Sequence, residues 1–312
     1  MLNVFILIFG FVLLIKGADF FVSSSSSIAK KLGVPSIIVG LTISAIGTSS
    51  PEAMVSITSS LKGMNDMSIA NVIGSNIFNL LVVLGASSIM GKLKINNYKD
   101  IWLLLGVCVG LLLMATNGTL SVLEGIVLLV AFTIYTLSMI KQVKDNKEKK
   151  EEKEEEKERN LLSIMVLGIL GLVAIIWGGN LVVDSASAIA LQLGVSEIVI
   201  GLTVASIGTS LPEFATSIVA IKKGETEMAI GNAIGSNIFN VLLVLGVASS
   251  IHPMIVSAVA ICDVMFMVFT VALFIFLTVK EKELNKKAVI ISAFPGCGKT
   301  ETTYKLKNDY KI

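Results

Sequence analysis

One polar stretch occurs twice in this chain, each time inside an apolar segment, and any fold has to house both copies. The first copy is Gly47-Thr48-Ser49-Ser50-Pro51-Glu52, followed by Asn71-Val72-Ile73-Gly74-Ser75-Asn76-Ile77-Phe78-Asn79. The second is Gly208-Thr209-Ser210-Leu211-Pro212-Glu213, followed by Asn232-Ala233-Ile234-Gly235-Ser236-Asn237-Ile238-Phe239-Asn240. Glu213 follows Glu52, and Asn240 follows Asn79, by the same 161 residues, so the halves share one register. A carboxylate, hydroxyls and amides are costly in an apolar span, which makes them functional candidates.

With 54% hydrophobic and only 15% charged residues, the chain lies outside the range of soluble domains and reads as an all-α integral membrane protein. A spanning helix needs about 20 apolar residues. Nine runs qualify, at roughly 4–22, 34–60, 68–90, 101–116, 122–140, 161–183, 195–221, 228–250 and 254–279. The N-terminus enters the first run with neither a basic leader nor a small-residue cleavage pattern, so that run is expected to be a retained helix. A net charge of +2 gives no reason to expect a nucleic acid partner. Cys108, Cys262 and Cys297 lack disulfide or metal-ligand spacing and are expected to be packing residues. The one histidine, His252, ends an apolar run beside Pro253 and reads as an interfacial loop residue, which removes a histidine proton relay.

Between the fifth and sixth runs, residues 141–160 carry eight Lys/Arg and eight Asp/Glu, a solvated hinge separating a first half (1–140) from a second (161–287). Short cytoplasmic loops are rich in Lys and Arg. With the N-terminus outside, the inside loops hold Lys30, Lys31, Lys92, Lys94, Lys99, the hinge, Lys222, Lys223, Lys280, Lys282, Lys286 and Lys287, and the outside loops only Lys62. Lys30 and Lys31 align with the uncharged Leu191 and Gln192, so homologous loops carry opposite bias. Five spans per half would produce that inversion, and an inverted-topology repeat with a midplane site is a recurring transporter plan. Channels are also built from repeats.

Gly47 and Pro51 interrupt the second run, and proline both removes a donor and clashes with the preceding turn. A helix break there is expected to free carbonyls such as those of Ala45 and Ile46, with Ser206 the counterpart of Ala45. Glu52 lies four residues after Thr48, and Asn79 four after Ser75, so each pair can share a helix face. Thr209 with Glu213 and Ser236 with Asn240 repeat the pattern, and Ser49 and Ser210 lie between. Carboxylate, hydroxyl, amide and carbonyl oxygens, with no thiolate or imidazole, suit Ca²⁺, Na⁺ or Mg²⁺ rather than Zn²⁺ or Cu²⁺. No lysine or arginine recurs beside Glu52 and Glu213 to make them a structural ion pair. Two such charges balance one Ca²⁺, two Na⁺ or two H⁺, a natural basis for exchange at one shared site. Gly40, Gly74, Gly201 and Gly235 serve equally well as close-packing positions. Asp19, three residues after Lys16, can form an internal pair or a gating element, but the counterparts of the two, Asn180 and Trp177, do not repeat it.

These residues resemble the cation/Ca²⁺ exchanger superfamily, particularly its prokaryotic sodium/calcium exchanger-like branch, whose two inverted repeats bear GTS-x-PE and GNxxGSNxxN/D motifs. The resemblance covers about residues 1–285. It implies a ten-helix plan of two five-helix repeats, with the tenth helix missing or replaced in this chain. It further implies Glu52 and Glu213 as central Ca²⁺ ligands, oxygens for Na⁺ and Ca²⁺ from Thr48, Ser49, Thr209 and Ser210, and completion by Ser75, Ser236, Asn79 and Asn240. Many sodium/calcium members carry Asp where this chain has Asn240, one carboxylate fewer.

Residues 288–312, where the tenth span is due, contain Gly296, Gly298, Lys299 and Thr300 in the manner of a phosphate loop. Ala293 holds the first glycine position and only 12 residues follow Thr300, too few for the strand, helix and sheet such a loop needs. The tail therefore reads as a frame change, fusion remnant or cloning junction, with too few apolar residues to span. The expected function is a secondary antiporter in a prokaryotic cell membrane, exchanging cytoplasmic Ca²⁺ for external Na⁺ by alternating access, with no enzyme activity, no cofactor and no obligatory protein partner. A Ca²⁺ or other divalent cation/H⁺ antiporter is the alternative, and a gated cation channel a further one.

Overall fold

A computed structural model describes residues 2–91, 93–95, 98–148, 161–196, 206–281 and 283–284. Cys297, Gly201, residues 149–160 of the hinge and the tail 288–312 fall outside them. The first half comprises α1 (Leu2–Leu32), a bent pair α2 (Ser36–Thr48) and α3 (Ser50–Leu61), then α4 (Asn65–Met90), α5 (Lys99–Ala115) and α6 (Val122–Glu148). The second comprises α7 (Leu161–Gln192), α8 (Ser206–Gly208), α9 (Leu211–Lys222), α10 (Thr226–Ile251) and α11 (Ala258–Glu281). Two short antiparallel ladders tie loops together: β1 (Leu93–Lys94) with β4 (Glu283–Leu284), and β2 (Thr119–Leu120) with β3 (Met254–Ile255).

Six of the nine apolar runs form helices long and apolar enough to cross a membrane, and the bent pair supplies the second run. The fourth run is the 17-residue α5, and the seventh lies partly outside the described residues. Side chains are distributed inside out relative to a soluble protein. Phe5, Ile134, Leu162 and Phe276 face outward, while Ser, Thr, Asn and Glu are buried along α3, α4, α9 and α10. That is the arrangement expected where hydrocarbon replaces water around the rim.

Several boundaries move. The first run extends to Leu32, giving α1 31 residues and a length of roughly 46 Å, well beyond a ~30 Å hydrocarbon core. Its serine-rich end stays helical because hydroxyls bond back one turn, Ser23 to the Asp19 carbonyl at 2.8 Å and Ser27 to the Ser23 carbonyl at 2.9 Å. The hinge starts later than expected, since 141–148 continue α6. The ninth run starts later too, because Met254 and Ile255 pair with β2 before α11 begins. Cys108 is buried as expected, but Cys262 is exposed on α11 and is not a core residue. Asp19 pairs with Lys223 at 2.8 Å, not with Lys16.

The halves use the same punctuation. α1 ends at Gly33 (φ 68°), where Val34 N–H reaches the Ala29 carbonyl, and α7 ends at Gly194 (φ 83°), where Val195 N–H reaches the Ala190 carbonyl. Both are left-handed glycine caps. α1 and α7 also pack directly on one another through glycines. A Cβ at Gly17 would lie 2.8 Å from the Gly171 oxygen, and one at Gly10 would lie 3.1 Å from the Gly178 oxygen. Rising numbers on one helix meet falling numbers on the other, so α1 and α7, the first helix of each half, run antiparallel. Exchanging the halves turns one contact into the other, since Gly171 corresponds to Gly10 and Gly178 to Gly17.

At one end of the molecule the loop between α9 and α10 grips α1 and the start of α2. Lys223 bonds Asp19 and, at 2.7 Å, the Ser23 hydroxyl; Glu225 accepts from Ser26 and Ser36. α6 is set by a capping box: the Ser121 N–H and hydroxyl donate to Glu124 Oε2 at 2.7 and 2.8 Å, and the Glu124 N–H returns to Ser121 Oγ at 3.3 Å. Ser121→Ala is expected to destabilise the protein by about 1 kcal/mol, read as a lowered thermal unfolding midpoint in detergent.

Candidate cation site

Proline dictates the local geometry of the two motifs. Pro51 and Pro212 each stand second in a helix, where a missing N–H costs nothing. The residues just before these helices, Ser49 (φ −83°, ψ 6°) and Ser210 (φ −93°, ψ 4°), leave helical geometry. In the first half the break bends α2 against α3 by 49°, as Gly47 and Pro51 predict. Each glutamate thus lies in the first turn of a half-helix, Glu52 on α3 and Glu213 on α9, near the positive end of the helix dipole.

The two carboxylates are fully buried. Each is held by the other half. Ser49 donates to Glu213 Oε1 at 2.8 Å, and its counterpart Ser210 donates to Glu52 Oε1 at 3.1 Å. Thr209 lies beside Glu52, and Thr48 and Ser236 beside Glu213. Thr48 directs its hydroxyl to the Ser44 carbonyl at 3.0 Å and to Asn232 Oδ1 at 3.2 Å. Asn79 and Asn240, one turn beyond Ser75 and Ser236, are buried where α4 and α10 widen into π-type turns over Asn79–Val83 and Asn240–Leu245. Such turns recur at functional sites.

The oxygens left over are the informative part. Of fourteen buried side-chain oxygens without a hydrogen-bond partner among the described residues, seven belong to the two motifs: Glu52 Oε2, Glu213 Oε2, Ser75 Oγ, Ser236 Oγ, Asn79 Oδ1, Asn240 Oδ1 and Thr209 Oγ1. Three of these sets are counterpart pairs, one from each half. A buried oxygen without a partner costs about 1–3 kcal/mol, so the two carboxylate oxygens in particular call for a positive partner. Two carboxylates and neutral oxygens form a hard donor set that fits Ca²⁺ or Na⁺.

The backbone carbonyls behave differently from expectation. α2 remains helical to Thr48, so the Ala45 carbonyl accepts the Ser49 N–H at 3.0 Å, and the Ile46 carbonyl accepts the Ser50 hydroxyl at 2.9 Å. Ser206, the counterpart of Ala45, opens α8. The break falls at Ser49, so these carbonyls stay in the helix with one hydrogen bond each, leaving a second lone pair on each oxygen.

Asn71, Asn76, Asn232 and Asn237 belong to the site's support and carry no role in the motif reading. Asn71 Nδ2 donates to Ser56 Oγ at 2.8 Å and to the Glu52 carbonyl at 3.2 Å, and in the second half Asn232 Nδ2 donates to Ser217 Oγ at 3.3 Å. An amide inside an apolar span was the available signal. Gly40 and Gly235 act as packing residues: added Cβ atoms would lie 2.5 Å from the Met228 oxygen and 2.7 Å from the Leu41 backbone.

A family model described as sodium/calcium exchanger protein matches residues 2–141 and 163–291, parting in the charged run. CaxA of Alkalimonas amylolytica is 37% identical over 266 residues, covering 83% of this chain and 83% of its own. The sodium/calcium exchanger MaX1 of Methanosarcina acetivorans is 35% identical over 296 residues, covering 82% and 85%. Among solved structures, the sodium-calcium exchanger NCX_Mj soaked with Na⁺ and Sr²⁺ superposes with a TM-score of 0.83 at 31% identity, over 99% of this chain and 98% of that one.

Proposed function

The chain belongs to the sodium/calcium exchanger family, a family of multi-pass membrane transporters and not of enzymes, and from that premise we propose that it is a secondary antiporter exchanging Ca²⁺ for Na⁺ at one shared cage. The cage comprises Glu52, Glu213, Thr48, Ser49, Thr209, Ser210, Ser75, Ser236, Asn79 and Asn240. One observation carries the reading: two fully buried carboxylates, one from each half, each take a hydroxyl hydrogen bond from the other half and keep a second oxygen without a partner among the described residues. Their charge balances one Ca²⁺ or two Na⁺, so the two cargoes compete for the same oxygens and cannot leave together. The halves act as inverted repeats, a reading supported by the antiparallel α1 and α7 and by contacts that recur when the halves are exchanged. The N-terminus lies outside and the charged run 141–160 in the cytoplasm, supported by the lysine distribution.

Purified protein in vesicles tests this. An outwardly directed Na⁺ gradient is expected to drive ⁴⁵Ca²⁺ accumulation above equilibrium. A second reading, Ca²⁺/H⁺ exchange, is favoured by the neutral Asn240, which leaves two carboxylates to take two protons in place of two Na⁺. Accumulation driven by a pH gradient and indifferent to Na⁺ would establish that reading, and flux that only dissipates a Ca²⁺ gradient would make the protein a channel.

A further inference from the structure

A carboxamide has two unlike ends, and the cage needs the oxygen end of Asn79 and of Asn240. Their nitrogens are already committed. Asn79 Nδ2 donates to Asn237 Oδ1 at 3.1 Å, and Asn240 Nδ2 donates to Asn76 Oδ1 at 3.2 Å. Asn76 and Asn237 are fixed in turn, because each donates its own Nδ2 to the other's backbone carbonyl, at 3.2 and 3.0 Å. Asn76 Nδ2 also faces Met267 Sδ at 3.6 Å. A carbonyl only accepts, so Asn76 and Asn237 have one satisfactory orientation, nitrogen toward the carbonyl and oxygen toward the cage amide. All four amides are fully buried, so no solvent competes.

We propose that Asn76 and Asn237 are positioning residues that turn the oxygens of Asn240 and Asn79 into the cation cage, and that they fit the cage to an uncharged, donating group at both positions. The proposal rests on the cage being a cation site. A charged aspartate at 240 would set an oxygen against Asn76 Oδ1, a contact relieved only by protonating that carboxyl so that it donates, or by flipping Asn76 and placing its own oxygen against the Asn237 carbonyl. The cage charge is thereby held at the two glutamates. Asn240 is thus not an isolated departure from the family pattern; it is one half of a matched arrangement whose other half is Asn79.

The test is a mutant cycle on the purified full chain, with ⁴⁵Ca²⁺ equilibrium binding as the readout. Asn76→Leu can neither accept nor donate, and is expected to raise the Kd for Ca²⁺ by about tenfold or more, the usual cost of losing an outer-shell partner. With Asn240→Asp already present, the same Asn76→Leu change is expected to leave the Kd unchanged or lower it, because a carboxylate presents an oxygen whichever way it turns and the clash with Asn76 Oδ1 is gone. A packing defect would weaken binding in both backgrounds, so an equal loss in both overturns the proposal, as does a wild-type Kd in folded Asn76→Leu. If Asn76→Leu does not fold, Asn76→Ala without overpacking and the mirror cycle of Asn237→Leu with Asn79→Asp carry the same expected and overturning results. Absence of Ca²⁺ binding by the unmodified chain, or an unchanged Kd in Glu52→Gln, would instead defeat the cage itself.

Discussion

Glu52→Gln and Glu213→Gln should each abolish gradient-driven ⁴⁵Ca²⁺ uptake. Each carboxylate is fully buried, offers one oxygen that meets no donor among the described residues, and takes its other hydrogen bond from the opposite half. Glutamine keeps the shape and removes the charge. The cage then holds one negative charge against a divalent ion in a low-dielectric interior, a loss of about 3 kcal/mol and hence on the order of 100-fold in affinity. Because the two sites are counterparts, the two variants should fail alike, and the protein should still fold, since a neutral group at this depth is easier to bury than a charged one. Uptake within threefold of the unmodified protein in both variants would show that the cation binds elsewhere.

The second large effect concerns backbone proximity. Gly40→Ala is expected to lower both stability and Ca²⁺ affinity, because the added methyl would stand 2.5 Å from the Met228 oxygen and 3.0 Å from the Asn232 nitrogen. Neither is a flexible tip that can swing aside. α2 and α10 must separate, at a cost of about 1–3 kcal/mol for overpacking, and α10 is the helix that carries Asn232, Ser236, Asn237 and Asn240. A thermal unfolding scan with and without Ca²⁺ measures both losses. An unfolding midpoint and a Ca²⁺-induced shift equal to those of the unmodified protein would refute the close contact.

What was legible in the sequence follows from which forces act locally. The broken helix at Pro51 and the carboxylates at 52 and 213 could be read directly, because proline geometry and the cost of charge in an apolar span need no knowledge of neighbours. Span positions were legible for the same reason. Their ends were not, since the Ser23–Ser27 segment is polar in composition yet helical through hydroxyls returned to its own backbone. The amide lattice of Asn76 and Asn237 was invisible as well. Its partners are about 160 residues apart, and it depends on which end of each amide points where, a property of the assembled halves. The Asp19 partner was not legible, because Lys16 is near in sequence whereas Lys223 is near in space. Gly47 and Pro51 bracket the break, but its exact place at Ser49, which keeps the Ala45 and Ile46 carbonyls inside the helix, was not legible.

The grip of the α9–α10 loop on α1 has no twin in composition. Where the second half has Lys223 facing Asp19 and Glu225 facing Ser26, the corresponding positions of the other half are Lys62 with Asn180 and Met64 with Ser187. Both carboxylates of the grip are thus missing from its counterpart. If the protein opens alternately to two compartments, as proposed above, a perfectly two-fold body would rest equally in both attitudes when no gradient is applied. Unequal fastenings remove that degeneracy. An exposed ion pair worth about 1 kcal/mol weights one attitude roughly fivefold over the other. On the proposed function, the cage would set what is carried, and this unmatched grip would weight which compartment the resting protein faces.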